Sequence, residues 1–176
     1  LVEISNFQGI ENFYEYIVDR LKKINYSKID MIISKSESEN QKIWNIRESI
    51  PIEEKKHGYI IKHDISIPLE KMEEFIINTE NQIKKYDNKA EVINFGHLGD
   101  NNLHYNVMIK DPNKVQQKKT EIRINEIIFN NVRKCKGSIS AEHGIGQLRK
   151  KDLLKFKGEN EIKKMKLIKN AFDPNN

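Results

Sequence analysis

The stretch 95-FGHLGDNNLHYN-106 sets the reading of the chain. Two alternating runs, AEVINFGHL (90–98) and NLHYNVMIK (102–110), flank the polar turn Gly99-Asp100-Asn101-Asn102, which is a hairpin signal. A loop over 99–102 sets Leu98 against Leu103 and His97 against His104. Residues opposed in an antiparallel pair have Cβ atoms ~5 Å apart on one face. Asn106 lies two residues past His104 and shares the histidine face, while Tyr105 and Val107 turn to the other, toward a core.

Outward from the hairpin, 59-YIIKHDISI-67 is rich in β-branched residues and predicts a strand. Lys62, Asp64 and Ser66 alternate there with Ile61, His63, Ile65 and Ile67. Pro68 opens a helix over 69–86, and Pro112 opens another that runs to about residue 135. This order predicts an α+β fold: an antiparallel sheet with helices on one face, with a ferredoxin-like split βαβ arrangement over 59–135. Upstream, apolar spacing from Ile10 to Ile24 predicts a helix over 10–25. IDMIIS (29–34) predicts a strand, and SESENQKIWNIRESI (36–50) a helix with Ser36 and Glu39 as a capping box and Pro51 as its stop. Downstream, GSISAEHGIG (137–146) fits a loop or short strand, and short helices follow over 148–156 and 159–171. No repeat, low-complexity linker or internal boundary interrupts the chain, so residues 1–176 read as one domain.

The composition excludes several classes. Hydrophobic residues make up 37% and charged residues 32%, enough for one patterned core. No run approaches the ~18 apolar residues of a membrane span. The net charge of +5 permits nucleic-acid or membrane contact, but the lysines are spread over every segment among glutamates, which argues for no nucleic acid. A single cysteine, Cys135, suits a reducing, cytoplasmic compartment, with peripheral membrane attachment left open. The chain starts on Leu1 without a signal peptide or initiator methionine and reads as a piece of something longer.

Two segments carry candidate chemistry. His97 and His104 can converge on one divalent cation, or they are two unrelated strand histidines. In SAEHGIG (140–146) an acid and a histidine are adjacent, and in an extended segment they point apart. Glu142 could then complete a His-His-Glu metal site while His143 stays free as an acid-base group. Gly144 and Gly146 serve either close approach to a ligand or a turn. Arg47 and Lys62 face water in the plain reading, and hold an anionic substrate if they lie near a metal.

Taken together, WNIRESI (44–50), YIIKHDISIPL (59–69), FGHLGDNNLHYNV (95–107), GSISAEHGIGQLRK (137–150) and the closing AFDP (171–174) resemble the C-terminal domain of FAD-linked oxidases in the vanillyl-alcohol oxidase/PCMH flavoprotein superfamily. The likeness is strongest to D-2-hydroxyglutarate dehydrogenases, D-lactate dehydrogenases and the flavin subunit of glycolate oxidase. It implies an FAD-dependent dehydrogenase that oxidises a D-2-hydroxy acid to a 2-oxo acid. It implies His97, His104 and Glu142 as ligands of a divalent metal, zinc first among them, and His143 as acid-base catalyst. It implies Arg47, Lys62 and Asn106 as substrate contacts. The expected partners are the substrate, an N-terminal FAD-binding domain, an electron acceptor and a second copy in a homodimer.

Three departures stand out. Asn101 replaces the usual turn glycine, and Asn tolerates left-handed backbone. Pro51 stands where some hydroxyglutarate enzymes place a hydroxyl residue. The flavin domain and the Asn-Pro-Gly-Lys segment that follows AFDP in the family are missing from these residues. Two other readings compete: a metal-dependent hydrolase using the same donors to activate water, and a basic nucleic-acid-binding module.

Overall fold

A computed structural model describes residues 3–4, 9, 11–23, 32–110 and 113–175. They form two compact units, Leu1–Glu53 and Glu54–Asn176. No Pro-, Gly- or Ser-rich stretch marks that division, so the sequence does not announce it.

The first unit carries helices α1 (Phe13–Lys23) and α2 (Glu37–Glu53). The ends of the expected 10–25 helix, including Ile10 and Ile24, lie outside the described residues. Ser36 caps α2, its Oγ accepting from Glu39 N at 3.2 Å. The Glu39 carboxylate reaches one residue further than a capping box predicts and accepts from Lys35 N at 2.7 Å. Pro51 does not stop α2; it lies inside the last turn, and Ile52 and Glu53 complete the helix. Its missing N–H removes one bond of the ladder, to the carbonyl four residues back, and with only two residues to follow little helix depends on it. The expected strand over 29–34 also fails where it can be checked. Residues 29–31 lie outside the described set, Ile32–Ser34 join no ladder, and Ile32 is 88% exposed. β-Branched residues form a strand only where a neighbour takes up the backbone groups.

The second unit contains the sheet. Strands β1 (Tyr59–Ile61) and β2 (Asp64–Ser66) precede helix α3 (Leu69–Tyr86). Strands β3 (Glu91–His97) and β4 (Asn102–Ile109) follow, then helices α4 (Lys114–Lys134), α5 (Lys150–Phe156) and α6 (Glu159–Phe172). The single strand expected over 59–67 is two, both antiparallel to β4, and the register runs on unchanged across the gap: Ile61 pairs with Val107, and Asp64 with His104. Within the gap, Tyr105 N still donates to His63 O at 2.9 Å. On its other side β4 pairs with β3. A ferredoxin-like sheet would add a further strand beside β2; here that strand is reduced to one antiparallel bridge, Ser66 to Ser138. A Cβ on Gly137 would collide with Ser66 O, so only glycine lets the chain close in there.

One face of the sheet is the core. Ile61, Ile65, Leu103, Tyr105 and Val107 pack there against Phe75 and Ile83 of α3 and Ile124, Ile128 and Val132 of α4. Their spacing of two on strands and three or four on helices is what buries them together. His63 shares that face and is 3% exposed. Its Nε2 bonds Asn125 Oδ1 at 2.7 Å, its Nδ1 contacts Tyr105 O at 3.0 Å, and its ring meets Phe129 edge-on. Burial, reinforced by the nearby Arg149 charge, lowers its pKa to about 4.

The unfolded chain binds a proton at His63 below about pH 6.5, whereas the folded protein resists it down to about pH 4. Stability is therefore retained above the unfolded value and lost as pH falls through that window, by on the order of 3 kcal/mol for this group. Urea unfolding of the wild type and of His63→Gln at pH 7 and pH 4.5 checks this. The expected result is a shallower pH slope in the variant by close to one proton.

Candidate functional site

The opposite face of the sheet carries His97, Asn102, His104 and Asn106, with Ile60, Ile93, Phe95 and Met108 beside them. His97, at the end of β3, pairs with Asn102 rather than with His104, and Phe95 pairs with His104. The turn begins one residue earlier than the sequence count places it. A 3-10 turn covers Leu98–Asp100, and Asn101 closes it in the left-handed conformation at φ 57°. The register is thus displaced by two residues from the expected one. Two is the side-chain period of a strand, so both histidines keep the same face and become diagonal neighbours. Their ring centroids are 6.0 Å apart. A Cβ on Gly96 would strike Asn102 O, so glycine permits the tight pairing beside the turn.

The loop after Ser138 brings the third member. It is bent, and Gly144 and Gly146 take positive φ with open space around their Cα atoms, so both serve the turn. Ile139 is buried and Ile145 packs against the core, which anchors the loop from beneath. Glu142 Oε1 lies 3.5 Å from His97 Nε2, and Glu142 Oε2 lies 3.9 Å from His104 Nε2. One donor atom from each of His97, His104 and Glu142 falls within 4.8 Å of the others. Bonds of about 2.0–2.2 Å to one ion place neighbouring donors roughly 3–4 Å apart, so this set fits a divalent cation after a small closure. Two imidazoles and a carboxylate also suit zinc and its first-row neighbours.

Asp64, which the sequence reading left without a role, lies at the centre of the arrangement. Its Oδ2 accepts from Ala141 N at 3.3 Å, Glu142 N at 2.8 Å and His143 N at 2.8 Å. Burial opposes its ionisation, but these three N–H donors outweigh burial and hold its carboxyl below the usual range. Its Oδ1 is buried without a hydrogen-bond partner and lies 3.4 Å from His104 Nδ1. Desolvation lowers the pKa of His104, against the pull of Asp64 and Glu142, and favours the neutral imidazole that a metal needs. His143 stacks on His104 with centroids 5.9 Å apart, and its Nδ1 is 3.8 Å from Asp64 Oδ2.

Lys62 and Asn106 share this face of the strands, joined by a residue the sequence did not single out. Glu54 is 3% exposed, pairs with Lys62 Nζ, and accepts from Asn106 Nδ2 at 2.9 Å. Only chain position hints at it: Glu54 stands eight residues before Lys62, just past the end of α2. Arg47 lies half-buried on α2, in the other unit.

Residues 9–176 match the family of FAD linked oxidases, C-terminal domain. The chain is 36% identical over 149 residues to a D-2-hydroxyglutarate dehydrogenase of Stutzerimonas stutzeri, covering 84% of this chain and 32% of that protein. It is 34% identical over 155 residues to a putative mitochondrial D-lactate dehydrogenase of Schizosaccharomyces pombe, covering 83% of this chain and 29% of that protein. A probable mitochondrial D-2-hydroxyglutarate dehydrogenase of Oryza sativa subsp. japonica is 32% identical over 146 residues, covering 83% and 25%. The chain belongs to the C-terminal domain family of FAD-linked oxidases. It spans between a quarter and a third of the length of these relatives. Neither the family nor these relatives carry the hydrolase or nucleic-acid readings. No described helix is long and apolar enough to cross a membrane.

Glu54→Ala leaves the buried Asn106 amide without its acceptor, a cost of about 1–3 kcal/mol. Glu54→Gln keeps an oxygen there and costs less. Urea midpoints for the two variants, expected in that order, check the assignment.

Proposed function

We propose that residues 1–176 are the substrate- and metal-binding domain of an FAD-dependent dehydrogenase that converts a D-2-hydroxy acid to a 2-oxo acid. The observation that carries this reading is the convergence of His97, His104 and Glu142 donors within 4.8 Å in a chain of this family. The names of the relatives favour D-2-hydroxyglutarate and D-lactate as first substrates to try.

His97, His104 and Glu142 would hold a divalent ion, zinc before others. When bound, it supplies Lewis-acid polarisation of the substrate 2-hydroxyl, lowering the pKa of that group. FAD, carried by an N-terminal domain, supplies the hydride acceptor, and an external acceptor reoxidises it. His143 takes the hydroxyl proton as general base; its side chain is 70% exposed beside His104, which leaves it open to a substrate on this face. The ammonium of Lys62, half-exposed and steadied by Glu54, binds a substrate carboxylate. Asn106, fixed by the same carboxylate, orients the substrate. Arg47 is assigned to a carboxylate on the WNIRESI motif.

Variants of the full-length protein separate the two adjacent residues of the loop. Glu142→Ala is expected to lose metal and activity together, with partial rescue by added zinc or manganese. His143→Ala is expected to keep its metal and lose about 10²–10⁴-fold in turnover, along with one limb of the pH profile. Elemental analysis and turnover against pH measure both. If His143→Ala stripped the metal and Glu142→Ala kept it, the roles would be reversed.

A further inference from the structure

We infer that Asp64 is the positioning residue of this site, its two oxygens setting two different ligands. Oδ2 gathers the consecutive N–H groups of Ala141, Glu142 and His143, and Oδ1 faces Nδ1 of His104. The inference rests on the reading of His104 and Glu142 as metal ligands.

The first half concerns the loop. Three adjacent amides converging on one carboxylate oxygen fix the backbone at the residues whose side chains face His104. That backbone has no ladder beyond Ser138 to hold it, so the carboxylate takes the place of strand pairing. Asp64 is able to do so because it sits on β2 with its side chain largely buried, 10% exposed, and paired in register with His104.

The second half concerns the imidazole. A neutral histidine has one N–H and one lone pair, and the partner of one nitrogen decides which is which. An ionised carboxylate only accepts, and Oδ1 of Asp64 is buried with no donor of its own and 3.4 Å from Nδ1 of His104, so it favours the tautomer with hydrogen on that nitrogen. The lone pair then lies on Nε2, the atom 3.9 Å from Glu142 Oε2. A ligand histidine held by an acceptor on its far nitrogen is oriented and made more basic.

Asp64→Asn tests this with little change of shape. The three loop amides need an acceptor, so the amide oxygen of Asn takes the Oδ2 place. Its NH₂ then faces His104 Nδ1, which must present a lone pair, and the proton moves to Nε2. In the zinc-free full chain, ¹⁵N chemical shifts of the His104 ring should report Nδ1–H in the wild type and Nε2–H in Asp64→Asn. Zn²⁺ titration of the same proteins should show affinity falling roughly ten- to hundredfold in Asp64→Asn. Asp64→Ala, which also releases the loop, should fall further. An unchanged tautomer and unchanged Zn²⁺ affinity in Asp64→Asn would overturn the inference. A wild type that takes up no Zn²⁺ would instead sink the metal reading, and the zinc-free ring shifts would still decide the role of Asp64.

Discussion

Strand β4 is hydrogen-bonded on both sides, to β3 along one edge and to β1 and β2 along the other. Its alternation divides the second unit. Leu103, Tyr105, Val107 and Ile109 join the core, and His104 and Asn106 turn to the opposite face. A slip of one residue would send the histidine into the core and Tyr105 out of it. Tyr105 is fully buried and packs edge-on against Phe75, so the apolar side of the strand resists that slip. The placement of the polar site is thus a by-product of burying its neighbours.

The titratable groups described on that face lie against one another. His104 has Asp64 at one nitrogen and Glu142 at the other. Glu54 binds both Lys62 and Asn106 and is itself almost wholly out of water, which a lone carboxylate could not sustain. Arg149 ties the end of the loop back, donating to Lys62 O at 2.9 Å with its guanidinium over the Phe129 ring. Residues 62, 64 and 66, running from the gap after β1 through β2, therefore grip, in turn, Arg149, the 141–143 backbone and Ser138.

Much of this was legible from periodicity. The helix over 69–86 was placed to the residue, because Pro68 fixes its start and the apolar spacing its face. The face shared by His97 and His104 was legible too, since parity survives a displacement of two. The register itself was not, because Asn101, one of the few residues with a side chain that tolerate the left-handed region, closes the turn one residue early. Pro51 misled because a proline's cost depends on how much helix follows it. Asp64 and Glu54 were hidden for a common reason. Their roles depend on partners up to 79 and 52 residues away, and nothing local to a carboxylate on a strand or after a helix tells which backbone will fold onto it.

The missing strand beside β2 has a chemical consequence. A strand laid along β2 would obey the two-residue alternation of the sheet, and of two successive residues only one could face the histidines. Because the ladder ends at Ser138, the following backbone is free to bend, and Glu142 and His143 both reach His104, one toward its Nε2 and one across its ring plane. Two groups of different chemistry, adjacent in sequence, are thereby brought to one imidazole. Completing the sheet would make the fold more regular and would separate them.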